Sequence, residues 1–192
     1  MKKKRLGFTL IEMLIVISAI GLTLPALFSI FYVILNQQIK VYRLTEVKRQ
    51  GDYILGKMDS MIRSNAVGIY SDSGLATVKC SNTLGNNSYS STGGSDFYLK
   101  DKNNNYFQFA LSFDRMNLIS TNASYQSGFL STSKIKVENF AISCERSAQF
   151  SGPIISVSFD ICYGTNSCSN ARVEEQASLS YKTNFKLRNI EN

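Results

Sequence analysis

From Met13 to Leu35 the chain runs for 23 residues without a charged side chain, and this stretch limits the fold more than any other feature. About 20 apolar residues in a helix span a bilayer. Lys2, Lys3, Lys4 and Arg5 stand just before it, and between Phe8 and Ile39 the one charged residue is Glu12. Basic residues flanking an apolar span stay in the cytoplasm, so everything after Leu35 is predicted to face outward. The formal charge of +7 is mostly that basic head: once residues 1–7 are set aside, 17 basic and 14 acidic residues leave +3. A secretory signal has its small-residue cleavage site after the apolar core. Here Pro25-Ala26 is only a faint match, whereas Gly7 precedes the core and Glu12 lies inside it.

The 192 residues contain no His. Ser-His and Cys-His catalysis and most zinc hydrolysis thereby lose their base or ligand, and a non-enzymatic role without cofactor is expected. With 44% hydrophobic and 18% charged residues, the chain has enough apolar content for one packed core beside the membrane segment.

Beyond the uncharged run, apolar residues recur at three- and four-residue steps from Val41 and Leu44 to Met61 and Ile62, the period of an amphipathic helix. A helix from Phe8 to Ala66 would extend about 88 Å at the usual rise, with Pro25 kinking or loosening it and Gly21, Gly51 and Gly56 weakening it. Residues after Ile54 are expected to join a core, and those before it to protrude. Past Ala66 the pattern changes to strands. Phe97 to Lys100 and Tyr106 to Phe113 read as a pair joined by the turn Asp101 to Asn105, with Phe107, Phe109, Leu111 and Phe113 on one face. Ile155, Val157, Phe159, Ile161 and Tyr163 alternate with polar residues, and Leu179, Tyr181, Phe185 and Leu187 follow suit. The parity slips between Val137 and Phe140, which predicts a bulge or turn at Glu138-Asn139. Ser81 to Asp96 and Ser120 to Lys134 read as surface loops. The fold class is α+β, a long helix packed on an antiparallel β head.

The string Gly7-Phe8-Thr9-Leu10-Ile11-Glu12-Met13-Leu14-Ile15-Val16-Ile17 resembles the N-terminal cleavage and methylation motif of type IV pilins and type II secretion pseudopilins. The resemblance covers residues 4–35. It implies a leader over residues 1–7, cleavage between Gly7 and Phe8 by prepilin peptidase, N-methylation of Phe8, and Glu12 as the fifth residue of the mature chain. It further implies a transmembrane and assembly helix over 8–35, its amphipathic continuation over 36–66, and an exported head over 67–192. Other pilin or pseudopilin subunits, an inner-membrane assembly platform and membrane lipid before assembly become the implied partners. The Phe8 amine and the Glu12 carboxylate are each costly in an apolar surround, and between neighbouring subunits they neutralise one another. Asp52 to Met58, Ile62 to Ala66 and Thr183 to Asn189 are similar to J-type minor pseudopilins and their pilus counterparts. The presence of Glu12 argues against the tip pseudopilin that lacks this acid. The alternative function is a signal-anchored surface β-domain that binds a ligand such as DNA in uptake.

Three further features bear on the head. Cys80, Cys144, Cys162 and Cys168 allow three pairings; the short turn-like loop between Cys162 and Cys168 favours that pair, leaving Cys80 with Cys144. Neither a Cys-x-x-Cys spacing nor a His supports a metal. Asp101, Asn103 and Asn105 match the first positions of a calcium loop, a site some major pseudopilins have in their heads, but Tyr106 and Ser112 stand where the loop needs Gly and Glu. Lys182, Lys186 and Arg188 share one strand face, as a phosphate-binding strand or any solvated strand would.

Overall fold

The computed structural model describes residues 9–81, 87–148, 151–164, 168 and 177–187. One helix, α1, runs from Leu10 to Asn65. Its start is set by Thr9: the Thr9 backbone N–H and hydroxyl both donate to Glu12 Oε2, at 2.9 and 3.0 Å, and the Glu12 N–H donates back to Thr9 Oγ1 at 3.4 Å. This reciprocal arrangement satisfies donors that the first turn leaves without intrahelical partners. The helix continues through Pro25, although a proline removes the bond that would reach the Gly21 carbonyl.

The chain divides into two units, Met1–Tyr42 and Arg43–Asn192. In the first, each described residue from Thr9 to Tyr42 is exposed. In the second, α1 buries Val47, Gln50, Gly51, Ile54, Met58, Met61 and Ile62, one stripe at helical spacing. Burial therefore begins at Val47, ahead of the Ile54 limit that apolar content predicts. At Gly51, within this stretch, the missing side chain lets the Tyr181 ring lie directly against the helix.

Ten strands follow: β1 (Gly68–Tyr70), β2 (Val78–Lys79), β3 (Ser88–Thr92), β4 (Tyr98–Lys100), β5 (Tyr106–Ser112), β6 (Arg115–Ser120), β7 (Gly128–Phe129), β8 (Ile135–Glu145), β9 (Ile154–Tyr163) and β10 (Ser178–Lys186). They form two antiparallel sheets, ordered β2-β1-β4-β5-β6-β7 and β10-β9-β8-β3. The fold class is α+β, a long apolar helix followed by antiparallel sheets. One core cluster joins the end of α1 to both sheets through Ile54, Met58 and Ile62 of the helix, Phe107 and Leu118 of the first sheet, and Val157 and Phe159 of the second.

Local sequence accounts for most strand register. Along β9, Ile155, Val157, Phe159 and Ile161 are buried and the residues between them are not, apart from Cys162 at its end. The parity slip in β8 is a bulge: the register shifts between Glu138 and Ala141, and Asn139 takes φ 52°, a conformation Asn tolerates better than most residues. Three strand expectations fail. Ser120 to Lys134 is not all surface loop, because Gly128 and Phe129 form β7, paired with β6 at Leu118 and Asn117, and Leu130 and Ser131 beside it are buried. Ser81 to Asp96 is not all loop, because Ser88 to Thr92 forms edge strand β3, paired with β8 from Ser88↔Glu145 to Thr92↔Ala141. Backbone pairing makes that strand, and its polar content reflects the outward positions Ser88, Ser90 and Thr92. Phe113 does not share the buried face of Phe107 and Phe109. Ser112 pairs with Arg115, leaving Phe113 and Asp114 as a two-residue turn with φ 51° and 55°, and Phe113 is 90% exposed.

Candidate functional site

The features with functional content lie at the start of α1. Its most apolar 18-residue window has a mean hydropathy of 2.3 and none of it is buried, so the helix is long and apolar enough to cross a membrane. Its hydroxyls do not disturb that surface. Ser18 Oγ donates to the Ile15 carbonyl at 2.9 Å, Thr23 Oγ1 to the Ala19 carbonyl at 3.0 Å, and Ser29 Oγ to the Ala26 carbonyl at 2.8 Å. Hydroxyls satisfied within their own helix can enter hydrocarbon without leaving an open donor. Glu12 sits in the first turn with its carboxylate drawn to Thr9. Gly7, Phe8 and the basic residues Lys2 to Arg5 lie outside the described residues.

Residues 2–24 match the family model for the prokaryotic N-terminal methylation motif. This chain carries that motif. No curated protein and no solved structure matches the chain at a significant level. The match spans both sides of the Gly7-Phe8 junction and includes Glu12, whereas the stretches Asp52 to Met58, Ile62 to Ala66 and Thr183 to Asn189 lie outside it. Thr9 was missed as a structural residue, although Thr9-Leu10-Ile11-Glu12 is a capping-box sequence and was open to being read as one.

The head holds the remaining candidates. Cys80 is joined to Cys144, with Cα atoms 6.2 Å apart, and Cys162 to Cys168, at 5.5 Å. The first links the segment after β2 to β8, and the second closes the short loop after β9. Among the described residues, no group of three His, Cys, Asp or Glu is placed to hold a metal. The calcium-like stretch folds as a turn with its carboxylate occupied. Asp101, 2% exposed, accepts the Asn103 and Asn105 N–H groups on Oδ1 at 2.8 and 2.9 Å, and the Asn122 amide on Oδ2 at 2.6 Å. Three bonds to one carboxylate explain why an acid is buried there.

Lys182 and Lys186 are exposed on β10, while Arg188 lies outside the described residues. The register sets them among acids. Lys186 is opposite Ile154, which is opposite Glu145 on β8, and Asp160 lies between Ser180 and Glu138. Asp160 in turn accepts from Ser180 Oγ at 2.5 Å and from Asn139 Nδ2 at 2.7 Å. A surface of mixed sign gives little of the phosphate neutralisation that drives nucleic-acid binding.

Proposed function

We propose that the chain is a structural, non-enzymatic subunit of a type IV filament or type II secretion-like machine. It is made as a prepilin with its N-terminus in the cytoplasm, cut between Gly7 and Phe8 by prepilin peptidase, and N-methylated at Phe8. It then waits in the inner membrane with its head outward and joins other subunits through the helix that follows Phe8. The observation that carries this reading is the match of residues 2–24 to the methylation motif, leading into a helix whose apolar surface is fully exposed from Leu10 to Leu35. Lipid covers such a surface before assembly, and neighbouring helices packed side by side cover it afterwards. The short similarities at Asp52 to Met58, Ile62 to Ala66 and Thr183 to Asn189 support the finer assignment to a minor subunit of the J-type pseudopilin or its pilus counterpart.

Glu12 has two roles in this reading. In the single chain its carboxylate caps α1; in the assembly it is released to meet the Phe8 amine of a neighbour, because an unpaired charge in hydrocarbon costs about 2.5–3.5 kcal/mol at mid-helix. Two variants separate the roles. Glu12→Gln keeps a side chain able to cap but loses the charge, and Glu12→Leu loses both. Both are expected to insert in the membrane and to be absent from sheared filaments. Wild-type incorporation of Glu12→Gln would show that the charge has no part in assembly.

A further inference from the structure

The hairpin of β5 and β6 turns on Phe113 and Asp114, with φ of 51° and 55°. Both positions lie in the left-handed region, which Gly, Asn and Asp enter readily and a bulky side chain resists. Phe113 stands there with 90% of its surface in solvent. The turn is pinned from one side by β8: the Val137 N–H donates to the Asp114 carbonyl at 2.8 Å, and Lys136 Nζ lies 3.2 Å from Asp114 Oδ2. A large apolar ring is thus fixed outward at a backbone position that works against folding. Local conflicts of this kind gather where a protein binds something.

The strands beside the turn show which end of the Arg43–Asn192 unit carries it. Ile135 and Lys136, at the start of β8, pair with Tyr163 and Cys162, at the end of β9, and the Arg43 guanidinium carbon lies 5.6 Å from the Tyr163 ring centroid. The Glu46 carboxyl is held below its usual range chiefly by the Arg49 hydrogen bond and in part by the positive charge of Lys134, which sets Lys134 beside the same stretch of α1. Phe113 therefore projects from the end of the unit at which the chain enters it. Arg43 follows Leu35, where the apolar span ends, by eight residues, so the chain passes from lipid to this end within a short stretch. Of the charges gathered here, Lys136 is shared between Asp114 and Glu138, 3.2 Å from each, and Glu46 is paired with Arg49. Lys134 is exposed, and Arg43 rests on a ring.

We propose that this end of the unit rests on the lipid surface, with Phe113 entering the outer leaflet at headgroup depth and Lys134 and Arg43 meeting lipid phosphates. An aromatic ring flanked by Lys and Arg is the composition of interfacial membrane contacts, and each cation held near an anionic leaflet adds to the attraction. Lipid gives the Phe113 ring the burial that the head itself denies it. The inference rests on the reading of a membrane-anchored chain with its head outward, and concerns the chain before assembly.

The chain contains no Trp, so a single Trp reports on one place. Full-length Phe113→Trp and Ile154→Trp chains are reconstituted in vesicles of phosphatidylglycerol and phosphatidylethanolamine, a share of the lipid being brominated near the headgroup. Ile154 is 41% exposed and stands at the opposite end of β9 from Tyr163, about 30 Å away at the rise of a strand; Phe113 is so exposed that Trp there leaves the core untouched. The expected result is Phe113→Trp fluorescence quenched by brominated lipid and shielded from aqueous iodide, Ile154→Trp fluorescence quenched by iodide alone, and a loss of lipid quenching when Lys134→Glu is added to Phe113→Trp. Three results overturn the proposal and leave the anchored-chain reading standing: iodide quenching without lipid quenching at position 113, shielding from both quenchers there, as a protein contact would give, or equal lipid quenching at the two positions. A wild-type chain that does not float with the vesicles overturns both.

Discussion

The ring of Tyr181 occupies the space that a side chain at Gly51 would need. A Cβ built on Gly51 would lie 2.3 Å from Tyr181 Cε2, and the phenol oxygen is 3.2 Å from both the Lys48 carbonyl and Asp52 Oδ1. The ring also stacks on Phe159, with centroids 5.2 Å apart. This contact ties the middle of α1 to edge strand β10, which the core pattern of the helix alone does not foretell.

Gly51→Ala is accordingly expected to destabilise the folded chain by about 1–3 kcal/mol, the usual cost of overpacking, because the obstructing atoms belong to a ring held on three sides. Gly56→Ala is its control. Nothing lies within 4 Å of a Cβ at Gly56, so there the better helix propensity of Ala adds up to about 1 kcal/mol. Denaturant unfolding of the full-length chain in detergent, followed by near-ultraviolet circular dichroism, reads both. Opposite signs at the two glycines are the expected result.

Stability should fall in alkali. Burial, aided by the Asp52 carboxylate, pushes the Tyr181 phenol up to about 12; burial and the neighbouring Asp96 do the same for Tyr89, also to about 12. An unfolded chain releases these protons near pH 10. Below that value both states hold the protons and the stabilisation is whole; as pH rises from about 10 toward 12 the unfolded state alone gives them up, and stability declines. Unfolding midpoints measured from neutral pH to about pH 12 should show the decline, and Tyr181→Phe should make it shallower.

The turn at Phe113 offers a stabilising substitution. A phenylalanine at φ 51° with 90% of its surface exposed gains little from burial and sits where Gly or Asn is preferred. Phe113→Gly is expected to raise stability by about 1 kcal/mol, seen as a higher unfolding midpoint. A loss instead would mean that the ring has packing not evident in the single chain.

The two disulfides should differ in weight. Cys80 and Cys144 are separated by 64 residues, Cys162 and Cys168 by 6. In the chain-entropy model the longer closure contributes about 4 kcal/mol and the shorter about 2. Unfolding of Cys80→Ser/Cys144→Ser beside Cys162→Ser/Cys168→Ser, each in the full chain, measures the order.

Legibility in the sequence followed the range of the interaction. The uncharged run, the β9 alternation and the β8 bulge each rest on residues close along the chain, and periodicity or spacing is enough to find them; the capping box at Thr9 and Glu12 is equally local, yet the apolar run around it drew the reading to the membrane instead. Strand β3 was hidden because its outward Ser and Thr residues dilute the apolar signal, while its reason for being a strand is the β8 backbone many residues away. Phe113 was misplaced because alternation ignores where a hairpin must turn. The contact of Tyr181 with Gly51 left no trace in sequence, since only the tertiary fold brings residue 181 beside residue 51.

The central claim is that this is a processed filament subunit, and intact-mass and N-terminal peptide mass spectrometry on the chain purified from its own membranes tests it most directly. The account predicts a mature chain that begins at N-methylated Phe8 and has lost residues 1–7. A chain that still begins at Met1 in cells with an active prepilin peptidase would contradict it, and would leave a simple anchored domain in its place.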